Sequence, residues 1–280
     1  MNYEKDQLKK QLDIIYNAYN KKEYIHPDPL EFLDNYPDLK DREIAALIAS
    51  SLAYGRVDQI LKHVRLVFAI MHSSVNKDFF CQSNKFSLHS YIVETSEADI
   101  VKNFKRFKYR FTNGEHIASF LVGIKSVVKE YASLKSFFFN GMTPKDETII
   151  PALTHFVKRI KESGNCGNLA PDPEKGSACK RNALFLRWMV RKDEVDPGGW
   201  DQVSPAILIV PLDTHMHHVG SLLGFTKRKQ ADMRTALEIT DGFRQISPDD
   251  PVKYDFCLTR FGIHPEMDFR DLETIINIES

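Results

Sequence analysis

Two side chains stand out for their chemistry. Lys180 opens the segment Lys180–Arg191 (KRNALFLRWMVR), and Lys180, Leu184, Trp188 and Arg191 fall on one helical face by the three-to-four-residue rule. A lysine heading an apolar stripe is expected to be partly desolvated, which favours the neutral, nucleophilic amine. Asp213 follows the apolar run Ala206–Val210 and Pro211-Leu212, and precedes a helical pattern with Met216, Val219, Leu222 and Leu223 on its inner side. It occupies the position of an N-cap, where backbone N–H groups and the positive helix end keep a carboxylate ionised and fixed in direction. An oriented carboxylate and an amine can together attack a sugar carbon and stabilise positive charge developing on it.

Three histidines, His215, His217 and His218, adjoin Asp213 and raise a second chemistry, a metal-dependent hydrolase using Asp213, His215 and His217. Adjacent residues point to different faces of a helix, and the spacing matches no H-E-x-x-H pattern. The expectation is therefore no metal.

Helical periodicity dominates the elements that must position these groups. Leu8, Leu12, Ile15 and Tyr19 give one apolar side to residues 2–24, and Asp38 and Asp41 announce a second helix, broken into two at Gly55. Phe104, Phe107 and Phe111 recur at helical spacing among Lys102, Lys105, Arg106, Lys108 and Arg110, which reads as core phenylalanines beneath a solvated basic face; Asn113-Gly114 closes the run as a turn. Residues 161–179 are rich in turn-forming types and form a candidate hinge between lobes. No long strand, repeat or low-complexity tract is evident. The expected fold is all-α, a single two-lobed helical domain over residues 1–280.

Composition bounds the function classes. The 280 residues carry 38 basic and 38 acidic side chains, so nucleic-acid binding would have to rest on local patches. The strongest excess lies between residues 151 and 192, with nine Lys/Arg against three Asp/Glu. Cys81, Cys166, Cys179 and Cys257 show no C-x-x-C pairing and read as reduced thiols. With no apolar leader and no spanning run, the expectation is a cytoplasmic protein without membrane contact.

The string Val210–Gly224 (VPLDTHMHHVGSLLG) resembles the segment of the helix-hairpin-helix DNA glycosylase superfamily in which a V-D-T-H-like stretch carries the catalytic aspartate. Glu43–Val64 and Val252–Ile263 resemble that superfamily's early helix pair and closing helix, in the same order. The hairpin L-P-G-V-G-x-K is absent, and Lys180 lies 33 residues before Asp213, a separation similar to that of the divergent archaeal 8-oxoguanine glycosylase branch. Iron–sulfur cysteine spacing is missing. The chain is also identified as a member of the family called domain of unknown function 2400, a label that implies no activity.

The resemblance implies a two-lobed DNA glycosylase-like fold and a monomeric base-excision enzyme with lyase capacity, acting without a cofactor on an oxidised purine extruded from double-stranded DNA. Lys180 would be the nucleophile and Asp213 its partner. Trp188 and Tyr54 are candidate walls of the base pocket, Trp188 being equally well explained as core. Arg56, Arg181, Arg187, Arg191 and His218 are candidate DNA contacts. A relative that binds DNA without catalysis is a further alternative.

Overall fold

A computed structural model describes residues 2–74 and 87–277; Cys81 lies outside them. Among the described residues the fold is all-α: thirteen α-helices, short 3-10 turns and one two-stranded hairpin. The chain divides into two compact units. One comprises residues 1–31, 146–149 and 173–280, the other residues 32–145 and 150–172.

In the unit built from residues 32–145 and 150–172, the anticipated break falls where the sequence places it. Asp38 caps the Leu39–Ser51 helix through the amides of Lys40 and Asp41, Gly55 turns at φ +92°, and a second helix runs Val57–Ser73. The long helix Gly114–Tyr131 is the unit's centre. Asn113 caps it in a capping box with His116, and Gly123 has no room for a side chain because a Cβ would lie 2.3 Å from the Ile160 carbonyl oxygen. That contact lets the Ile150–Lys161 helix approach closely.

Two buried charges in this unit serve helix ends. Glu43, fully buried, accepts from the amides of Leu134 (2.6 Å) and Lys135 (3.0 Å) at the start of the Leu134–Asn140 helix. Lys125 donates to the carbonyls of Ile92, Val93 and Thr95 at the end of the Leu88–Glu94 helix. Each satisfies backbone groups that a helix terminus leaves unpaired, with charge of the sign the helix dipole favours.

The remaining unit contains the helices Asn2–Tyr19, Lys180–Val190, Thr214–Leu222, Met233–Arg244, Asp255–Ile263 and Phe269–Asn277. The first helix is shorter than periodicity suggests: Tyr19 ends it, and Lys22–Tyr24 forms a 3-10 turn. Thr214–Leu222 packs on Asp255–Ile263, and Asn2–Tyr19 packs on Asp255–Ile263 and Phe269–Asn277. Trp188, Trp200, Tyr254, Phe185 and Phe256 fill the core between them. No helix among the described residues is long and apolar enough to cross a membrane. Cys166, Cys179 and Cys257 are buried free thiols.

Candidate functional site

Asp213 caps the Thr214–Leu222 helix in the way its position suggests. One carboxylate oxygen accepts from the amides of His215 and Met216, each at 2.9 Å. The other lies 3.0 Å from Lys180 Nζ. Burial alone would raise the Asp213 carboxyl, but Lys180, the Met216 amide and the nearby His215 ring outweigh it and hold it below the usual carboxylate range. It is an ionised, directionally fixed partner for the amine.

Lys180 begins the Lys180–Val190 helix directly after Cys179, whose backbone is left-handed at φ +48°. A side-chain-bearing residue in that conformation costs about 1–2 kcal/mol, so tertiary packing must hold the turn that aims Lys180. The expectation that burial alone would set its chemistry needs correcting. A third of its side chain is exposed, and its immediate neighbour is a carboxylate rather than an apolar wall.

His215 completes the immediate surroundings. Its ring stacks on Phe269 at a centroid distance of 5.9 Å, and it is pressed so closely on Gly262 that a Cβ there would come within 2.1 Å of Nδ1. Burial, helped by the positive charges of Lys180 and Arg260 and by His218, lowers its proton affinity against the pull of Asp213. Neutral imidazole is the form favoured beside the ion pair.

His215 and His218 both pack on Phe269, and His217 points away from them. His217 Nε2 is 2.9 Å from the Arg228 carbonyl oxygen, while the half-exposed His218 lies 3.8 Å from Glu273 and 4.6 Å, ring to ring, from Phe269. Among the described residues no three His, Cys, Asp or Glu side chains are grouped to hold a metal ion. The geometry of the helix separates the set of Asp213, His215 and His217 that the sequence places side by side.

Two of the expected DNA contacts have another role. Arg187 and Arg191 are 3% and 4% exposed. Arg187 binds Asp255 and, at 3.2 Å, Asp196; Arg191 binds Asp196, Asp193 at 2.9 Å and Asp250 at 2.9 Å. Burial works against the charge on both arginines, but the surrounding carboxylates outweigh it and keep them charged. Burial likewise pushes Asp255 up to about 6 despite Arg187. Arg187 ties the Lys180–Val190 helix to the Asp255–Ile263 helix, Arg191 ties that helix's end to Asp250, and neither buried guanidinium can reach a phosphate.

The basic excess of residues 151–192 is correspondingly smaller at the surface, since Arg159 is also paired, with Glu130 at 2.7 Å and Glu162 at 2.9 Å. Trp188 is fully buried, so it is a core side chain and not an accessible pocket wall. Arg181 is half-buried beside Lys180 in the chain. Tyr54 and Arg56 belong to the other unit. There the Tyr54 hydroxyl is tied to the Tyr109 carbonyl (3.1 Å) and Thr112 (2.7 Å), and Arg56 is exposed beside Asp58.

Sequence reasoning misses the Arg187–Asp196–Arg191 network. The signal is available in the neighbours of Arg187: Phe185, Leu186, Trp188 and Met189 make a helix apolar on all sides, which is a buried helix whatever its charges.

No curated protein and no solved structure matches the chain. The family model described as protein of unknown function (DUF2400) matches residues 28–264, a span that includes Lys180, Asp213 and the buried arginine network, and the chain belongs to that family.

Proposed function

We propose that the protein is a DNA glycosylase with lyase capacity, acting on an oxidised purine, with Lys180 as nucleophile and Asp213 as its orienting partner. The observation that carries the reading is the 3.0 Å approach of Lys180 Nζ to a carboxylate fixed at a helix N-terminus. The resemblance of Val210–Gly224 to the helix-hairpin-helix glycosylase segment supplies the substrate class.

In this reading an ammonium proton passes from Lys180 by way of Asp213 to the departing base. The Nζ–C1′ bond forms as the glycosidic bond breaks, and the bonding electron pair leaves with the base. The second Nζ proton then passes to the ring oxygen O4′ as the C1′–O4′ bond breaks, and the nitrogen lone pair closes onto C1′ to give a protonated Schiff base. Once it has handed that proton to the base, Asp213 is ionised again and stabilises the positive charge left on the sugar and Nζ; preorganised electrostatic groups in oxyanion holes are worth about 10²–10³ in rate.

Borohydride reduction tests this directly. Full-length protein incubated with duplex DNA containing 8-oxoguanine, and with a panel of other lesions, should give a covalent complex. Lys180→Gln should abolish it, and Asp213→Asn should slow base release by about 10²-fold or more. Equal trapping by Lys180→Gln would overturn the assignment of the nucleophile, and no trapping across the panel would overturn the enzyme reading in favour of binding without chemistry.

A further inference from the structure

The basic, phenylalanine-containing run from Lys102 to Asn113 does not fold as the helix its spacing suggests. The helix Glu97–Phe104 ends, and Lys108–Tyr109 pairs antiparallel with Thr112–Asn113, leaving Arg110 and Phe111 as the two residues of a tight hairpin loop. Phe104 and Phe107 enter the core, whereas Phe111 is 70% exposed. Lys102, Lys105, Arg106, Lys108 and Arg110 are all exposed, and the run contains no Asp or Glu. In a chain with no net charge this is a concentrated positive surface built around a protruding aromatic ring.

The hairpin is firmly mounted. The Tyr109 ring lies 4.3 Å from His63 and 4.7 Å from Tyr54, the Tyr54 hydroxyl donates to the Tyr109 carbonyl and Thr112, and the Thr112 hydroxyl donates to Asn168 at 3.0 Å. Arg110 takes φ +49°, a conformation that glycine or asparagine adopts more readily at this loop position. With arginine there, the guanidinium sits 5.5 Å from the Phe111 ring centre. The fold thus holds a large apolar ring in water and places a cation against it.

We infer that this hairpin binds unpaired nucleic acid, with a base stacked on Phe111 and the backbone phosphates held by Lys105, Lys108 and Arg110. Aromatic platforms within basic surfaces are the means by which proteins hold single strands without reading sequence. An anionic membrane would also attract the cations, but one phenylalanine tip offers far less apolar surface than the broad face of an interfacial helix. Paired bases in an intact duplex keep their faces covered, so the occupant is a single strand or a locally opened one. The site lies wholly within residues 32–145 and 150–172 and needs neither Lys180 nor Asp213.

Fluorescence anisotropy of the full-length protein with a labelled twelve-nucleotide thymidine strand, over a range of salt concentrations, tests the inference. Phe111→Ala should weaken binding about tenfold while leaving the salt dependence unchanged, and Phe111→Trp should restore it. Lys105→Ala with Lys108→Ala should flatten the slope of log affinity against log salt by about 0.7 for each phosphate that is no longer neutralised. The thymidine strand carries no oxidised purine and the readout needs no covalent chemistry, so failure of the glycosylase reading leaves this result untouched. Circular dichroism and thermal unfolding of each variant should match wild type, because the altered side chains are exposed. Binding indifferent to Phe111, or Phe111-dependent binding to phosphatidylserine vesicles without binding to the oligonucleotide, would overturn it.

Discussion

Arg187→Met should be among the most damaging single changes in the protein, by a mechanism with its own pH signature. The side chain is 3% exposed and binds two carboxylates, Asp196 and Asp255, that are themselves buried. Asp196 keeps Arg191 when Arg187 is removed. Asp255 does not fare so well: its Oδ1 has no hydrogen-bond partner among the described residues, and Arg187 is the partner of its Oδ2. Removing one member of a buried pair costs about 3–5 kcal/mol because the other charge is stranded. At about 2–4 °C per kcal/mol, the unfolding midpoint should fall by roughly 10 °C at pH 8. Burial already pushes Asp255 up to about 6, above the ordinary aspartate value of about 3.9 in an unfolded chain. A carboxyl raised in the folded state contributes stability that is full below its unfolded pKa and is lost as pH rises through its folded pKa. Wild type therefore finishes losing this contribution near pH 6, whereas the variant, with Arg187 gone and the carboxyl raised further, goes on losing it at higher pH. The deficit should be smaller at pH 5.5 than at pH 8, and Asp255→Asn in the Arg187→Met background should recover much of it at pH 8. Urea denaturation of the four members of the cycle at both pH values measures this. A deficit below 1 kcal/mol at pH 8, or one independent of pH and of Asp255, would refute the reasoning.

Gly262→Ala should destabilise by about 1–3 kcal/mol, because its Cβ would fall 2.1 Å from His215 Nδ1 and 2.4 Å from Phe269, forcing both rings to move. Chemical denaturation gives the loss, and the imidazole NMR signals of His215 should shift with it. Asp213→Ala should cost about 1 kcal/mol through removal of the cap, whereas Asp213→Asn, which can still accept from the His215 and Met216 amides, should unfold within a few tenths of wild type. Comparable destabilisation by both would show that the pairing with Lys180, rather than the cap, is what the fold draws on.

The helical class and the cap at Asp213 are legible in the sequence because both are local. Three-to-four-residue periodicity and the passage from an apolar run through Leu212-Asp213-Thr214 are written within a few residues of where they act. The order of Lys180 and Asp213 is visible too, but not their 3.0 Å separation, which depends on packing between segments 33 residues apart. Charge is the least legible feature. Counting arginines along residues 151–192 suggests an outward-facing surface, yet Arg187 finds Asp255 68 residues further on and Arg191 finds Asp250 59 residues further on. A tally along the chain cannot distinguish a cation facing water from one neutralised by a carboxylate in the core.

Phe111 escapes periodicity for the opposite reason. The steps from Phe104 to Phe107 to Phe111 fit one helix face, and a helix would bury all three. Gly114 prevents that outcome: a Cβ there would lie 2.3 Å from the Phe104 carbonyl oxygen, so the start of the Gly114–Tyr131 helix comes back directly against the end of Glu97–Phe104. The chain between them must reverse within a few residues, and a two-residue hairpin loop does so. Periodicity takes Asn113-Gly114 as the end of a helix, whereas Asn113 caps the start of the next and Gly114 permits the close return. Once that return is fixed, strand alternation sends Tyr109 and Thr112 inward and leaves Arg110 and Phe111 at the tip. The exposed ring is thus a consequence of where one glycine lets two helices meet, and the sequence around it supplies cations where a solvent-exposed phenylalanine would otherwise have only water for company.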